Sequence, residues 1–159
     1  MKILIQIGED RTPQNLQFSG LKILVDISMA STDVEEPKQP RKHLRIWAKI
    51  DTAAYKTHLS QKITDYLDLI SKGERKNVPT GGGLIKTKTF AVDLKFVDYG
   101  LKPFINLEIG SLEKFPFDLT KAQEELQEKR NIGVLIGRDI LSGWNLNWDG
   151  PTSTVTISD

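Results

Sequence analysis

Two runs of the chain alternate strictly in the positions of their apolar residues: Leu21, Ile23, Val25 and Ile27, then Leu44, Ile46, Ala48 and Ile50. Successive side chains of a strand point to opposite faces, so a period of two marks strands with one face in a core. A helix built on the same pattern would scatter its apolar residues around its whole circumference. Ile3, Ile5 and Ile7 repeat the pattern on a shorter scale. The first third of the chain is therefore predicted to be β. Between the second and third runs lies STDVEEPKQPRK, in which Pro37 and Pro40 lack the N–H that a central ladder needs. That segment is predicted to be an exposed loop in a long hairpin connection.

Further along, Ile63, Tyr66, Leu67 and Ile70 recur at helical spacing, with Ser60 placed to cap the start and Gly73 to cap the end. This predicts an amphipathic helix over 61–72. Alternation resumes through Thr87, Thr89, Ala91 and Asp93, and again from Phe104 to Ile109. Thr120 with Gln123 fits a capping box for a highly charged helix near 121–130, a solvated surface element by its charge. An apolar run from Ile132 to Ile136, a helical turn from Arg138 to Leu141 and two short strands complete the pass. Trp47, Trp144 and Trp148 fall in β-like segments, where packing in a core or an interface is their ordinary use. The expected architecture is mainly β with two or three short helices, as a single domain over 1–159 without internal repeats.

Composition narrows the function. Lysine and arginine number 22 against 21 acids, so no net field gathers nucleic acid or anionic lipid. Cysteine is absent, which removes disulfides, thiolate metal sites and a thiol nucleophile. No stretch approaches the roughly 18 apolar residues of a spanning helix, and MKILIQIGED is too short for an export signal. A soluble, cytoplasmic protein is expected. His43 and His58 have no companions at ligand spacing, so no metal is expected. No Gly-x-Ser-x-Gly elbow supports a serine nucleophile.

Three places carry chemistry. Ile50-Asp51-Thr52-Ala53-Ala54 delivers an aspartate to the end of an alternating strand and follows it with small residues, which a second carboxylate would need for close approach. On spacing alone, Asp51 also reads as an ordinary turn or cap aspartate. Val78 to Phe90 contains a glycine-rich tip, Gly81-Gly82-Gly83, and continues through Leu84 and Ile85 as a β-like run. Glycines let a hairpin tip flex and let backbone approach a ligand. The Gly-Lys-Ser/Thr of a phosphate loop is missing. Val134-Leu135-Ile136-Gly137-Arg138-Asp139-Ile140-Leu141 is a buried strand, a glycine at a sharp turn and a short helix.

In this order and spacing the three places resemble the retropepsin-like aspartic proteases over roughly residues 44–148. Monomers of that family run Asp-Thr/Ser-Gly-Ala, then a glycine-rich flap, then an apolar pair, Gly, Arg, Asp or Asn and another apolar pair. The resemblance implies a closed-barrel acid-protease fold, active as a symmetric homodimer on peptide or protein substrates, with no cofactor. It implies that Asp51 is the catalytic aspartate in an active-site loop with Thr52, Ala53 and Ala54, Thr52 bonding across the dyad. Gly81, Gly82, Gly83, Leu84 and Ile85 would form the flap over substrate. Ile136 and Gly137 would pack beneath the aspartate loop, with Arg138 and Asp139 in structural support. Ala53 stands where the family has glycine. Were that position to need a positive φ, the methyl would cost about 1–2 kcal/mol; otherwise it narrows the cleft. The family's retroviral members also place an acid for the helix arginine shortly after the alanine, where this chain has Tyr55 and Lys56. A catalytically lapsed dimer acting as a peptide-binding or scaffold module is the alternative that Ala53 favours.

Overall fold

The structure is a computed structural model that describes residues 3–6, 20–34, 41–80, 82–97, 99–124, 131–149, 151–152 and 154–159. Ile7, Gly81 and the expected helical residues 125–130 lie outside them. The strands are β1 (Ile3–Gln6), β2 (Lys22–Met29), β3 (His43–Ile50), β4 (His58–Ser60), β5 (Gly73–Thr80), β6 (Gly83–Phe96), β7 (Phe104–Leu112), β8 (Ile132–Ile136), β9 (Asn145–Asp149) and β10 (Thr154–Ser158). Among the described residues three short α-helices, α1 (Gln61–Tyr66), α2 (Leu119–Glu124) and α3 (Arg138–Leu141), and a 3-10 turn at Ser31–Asp33 interrupt them. No helix among the described residues is long and apolar enough to cross a membrane.

Seven strands pair in the order β2-β3-β8-β4-β7-β6-β5, and β6 also pairs with β2. The sheet thereby closes on itself as a six-stranded barrel, with β5 left outside. The long strand β6 makes this possible by serving two neighbours: Gly83 to Thr89 pair with β5, and Val92 to Phe96 pair with β2. Most neighbours run antiparallel, but β3 is parallel to β8 and β4 to β7. A separate antiparallel sheet, β1-β10-β9, joins the two ends of the chain.

The period-two alternation is the core. Ile23, Val25, Ile27, Ile46, Ala48, Leu94, Ile109, Val134 and Ile136 are all fully or almost fully buried. Each large aliphatic among them contributes about 1.5–3 kcal/mol relative to exposure. Trp144, in the turn after α3 rather than in a strand, meets Phe96 edge-on at 4.9 Å. Where β6 changes from hairpin to barrel, the buried Asp93 fastens it: Oδ1 accepts from Asn106 N at 3.0 Å, and Oδ2 accepts from Ser31 N at 3.2 Å and from Arg41 at 3.0 Å.

Helix ends differ from expectation for local reasons. α1 stops at Tyr66, well short of 72, because Asp68 enters the left-handed region at φ 52° and Leu69 N turns back to Thr64 O at 3.0 Å. Ile70 consequently lies off the core face, 51% exposed, and Gly73 begins β5 instead of capping a helix. Ser60 occupies the N-cap position of α1 without a side-chain bond. For α2 the cap is Asp118 rather than Thr120, since Asp118 Oδ1 accepts from the amides of Thr120 and Lys121.

Candidate active site

β3 carries the chain to Asp51 at the rim of the barrel. The Asp51 amide donates to Ile136 O at 3.0 Å, which extends the parallel β3–β8 pairing one residue beyond the strand. The chain then turns sharply, with Ala54 N donating to Asp51 O at 3.2 Å. On the inside of the turn, Asp51 Oδ1 accepts from Ala53 N at 3.0 Å and Ala54 N at 3.2 Å. Two amides thus hold Oδ1 in place, and the second oxygen has no hydrogen-bond partner among the described residues. Thr52 and Ala53 are exposed at the outside of the turn.

The loop rests on the junction of β8 and α3. A Cβ on Gly137 would lie 2.5 Å from Lys56 O and 2.9 Å from Thr57 N, so the absence of a side chain lets the two backbones touch. Arg138 N donates to Ala54 O at 2.9 Å. The fully buried Thr57 ties loop to helix: its amide and hydroxyl donate to Asp139 Oδ2 and Oδ1 at 3.1 and 2.8 Å, and its hydroxyl accepts from Gly137 N at 3.1 Å. Asp139, rather than Arg138, makes the side-chain ties from α3. The Arg138 guanidinium is exposed and lies 5.8 Å from the centre of the Tyr55 ring. No periodicity or motif marks Thr57 in the sequence, and its role follows from the fold alone.

Asp51 opens on a cleft of about 840 Å³ between the 51–56 loop on one side and Arg75 to Thr80 of β5 on the other. Leu112 and Leu135 give it apolar surface, and His58 stands in its wall. The His58 ring is buried against Gly110, and burial pushes its pKa below the ordinary 6.5, outweighing the Lys56 backbone and the Asp139 and Asp51 carboxylates that favour its charged form. Among the described residues no group of three or more His, Asp or Glu side chains comes together as a metal-binding set.

The hairpin β5–β6 stands beside the cleft. Gly82 and Gly83 form the described part of its tip, bound by Thr80 Oγ1 donating to Gly83 O at 2.8 Å and accepting from Gly82 N at 3.3 Å. Gly83 takes φ 109°, which demands glycine, whereas Gly82 does not enter the positive region. Leu84 is 68% exposed and Ile85 is partly buried opposite Val78. The cleft is lined by β5 and not by Gly82 to Ile85. Of the residues marked in the sequence, the structure brings Asp51, Ala53, Ala54 and Arg138 to the cleft, and sets Ile136, Gly137 and Asp139 beneath it. Ala53 is not among the non-glycine residues with positive φ, which are Asp68, Asn77 and Asn106 among those described. Its methyl therefore occupies space and strains nothing.

No family model matches the chain, and no curated protein does. Among solved structures the chain is similar to a retropepsin-like aspartic protease from Rickettsia conorii, at TM-score 0.50 and 13% sequence identity, over 99% of this chain and 89% of that one. At such identity the likeness concerns architecture: the closed, mainly β barrel with three short helices is a retropepsin-like fold.

Proposed function

We propose that the protein is an aspartic endopeptidase whose catalytic centre is completed by Asp51 of a second copy of the chain. The observation that carries this reading is the Asp51 loop: a carboxylate oriented by two amides at the end of a barrel strand, seated on the β8–α3 junction and open to a cleft. Thr52 and Ala53, the residues that would face a two-fold mate, are exposed in the single chain. Two carboxylates about 3 Å apart do not both ionise, so such a pair holds one proton and titrates in two separated steps. The ionised partner takes a proton from a water as it attacks the scissile carbonyl, and the protonated partner donates to the carbonyl oxygen. Ala53 narrows the space beside that water without straining the turn.

The test is cleavage of a mixed peptide library between about pH 4 and pH 7, where a split pair is singly protonated, with sedimentation at micromolar concentration alongside. Cleavage with a pH optimum and a mass twice that of the chain are expected. A protein that stays monomeric at high concentration overturns the two-fold centre. A silent protein that gains cleavage on Ala53→Gly is instead a lapsed protease that retains peptide binding.

A further inference from the structure

The chain as a whole is balanced, 22 cations against 21 acids, but the wall of the cleft is not. Lys56, Arg75, Lys76 and Arg138 line it, and Asp51 is its one carboxylate among the described residues. Arg75 is paired with Glu108 of β7. For Lys56, Lys76 and Arg138 no carboxylate lies within 4.0 Å among the described residues. Two of these cations share a support: Lys56 Nζ and Arg138 Cζ each lie 5.8 Å from the Tyr55 ring centroid, and that ring is 66% exposed. A merely solvated face intersperses its signs, as the Glu74 and Lys86 pair does on the outer hairpin. The cleft instead gathers unpaired cations in its lining together with Asp51, and a cleft lined by one sign of charge concentrates the field of that sign.

From this we infer that the cleft selects peptide segments bearing aspartate or glutamate beside the bond presented to Asp51. The inference rests on the cleft being a peptide site. A guanidinium fork donates two N–H bonds to a carboxylate in bidentate fashion, and the two lysines add point charges on the loop and on β5. A nucleic acid would be gathered by a net positive field over a broad surface, and 22 cations against 21 acids give the chain none. In a two-fold assembly both ends of the segment would meet the same three cations, so acids are favoured on both sides of the bond.

The experiment uses matched peptide sets that differ only in flanking Asp/Glu, Asn/Gln or Lys. Cleavage is followed with the wild-type protein, and binding by fluorescence anisotropy with Asp51→Asn. The acidic set is expected to bind roughly three- to tenfold more tightly than the amide set, a preference that shrinks as salt rises from about 50 to 500 mM. Lys56→Gln and Arg138→Gln should each remove part of the preference. Lys76→Gln, at an exposed position of β5 where folding is not at stake, should do the same. Cleavage or binding without charge preference, or a preference that all three variants retain, overturns the inference and leaves the peptidase reading standing. Binding of acidic peptides without cleavage of any supports the inference and overturns the peptidase reading. Absence of binding to every set overturns the inference.

Discussion

The 51–57 loop and the β5–β6 hairpin face each other across one cleft, and they are held in opposite ways. The loop is fastened by bonds that reach 80 or more residues along the chain, from Thr57 to Gly137 and Asp139, and its fastening residues are largely buried. The hairpin is fastened by its own ladder, ends in glycines and exposes most of its first strand. Aligning a reacting carboxylate tolerates errors of well under an ångström, whereas admitting an extended substrate requires a wall that can move. On the proposed peptidase reading the barrel would meet both needs, with long-range bonds on one side and local ladder bonds on the other.

The sharpest way to break this contrast is Asp51→Asn. Asparagine keeps an oxygen that accepts from Ala53 N and Ala54 N, so thermal unfolding should barely move while peptide cleavage falls at least about a hundredfold. Equal rates in variant and wild type would make the loop a structural turn. Next is Gly137→Ala, which drives a methyl into the Lys56 carbonyl and should destabilise by about 3 kcal/mol, read by urea unfolding. Thr57→Val keeps the shape but strands the Gly137 N–H, with an expected loss of about 1–2 kcal/mol. Should both changes cost nothing, the loop is no better fixed than the hairpin.

A smaller effect concerns pH. Burial lowers the pKa of folded His58 below 6.5, so the unfolded chain binds the proton first as pH falls. The neutral ring's contribution is complete above about pH 6.5 and is lost as pH drops toward the folded value. Asp93 acts with the same sign in a lower window. Burial alone would raise its carboxyl, but Asn106, Arg41 and Ser31 hold it below 3.8, so its contribution disappears only in stronger acid. His58→Gln should flatten the stability profile below about pH 6.5 and leave the more acidic limb set by Asp93 unchanged. The smallest shift belongs to Gly82→Val. Its nearest neighbour is Thr80 Oγ1 at 3.9 Å and its φ is not positive, so unfolding should change by less than about 1 kcal/mol while turnover slows through a stiffer tip. Collapse of the fold on this change would make the tip part of the fixed side.

The two sides were not equally legible in the sequence. Strands that bury one face leave a period of two, which is why Leu21 to Ile27 and Leu44 to Ile50 could be read directly, as could the Ile136-Gly137-Arg138 junction. β5 could not. Its sequence, GERKNVPT, has no buried side chain and is held only by pairing with β6, so no alternation survives to announce it. The three-residue β4 is buried at every position and too short to show a period. Thr57 became visible only when the fold brought 137 and 139 to it. The end of α1 was set by the backbone of Asp68 rather than by the glycine the sequence advertised.

The outer side of β5 is the open margin of an otherwise closed sheet, and such margins invite other extended chains to add on. Here the invitation is interrupted. A bulge breaks the register between Arg75 and Val78, Asn77 turns to φ 57°, and Pro79 brings no N–H to a would-be neighbour. Lys76 adds a charge at the same stretch. A passing strand finds no unbroken ladder to continue, and the geometry of this wall disfavours the stacking of further strands upon it.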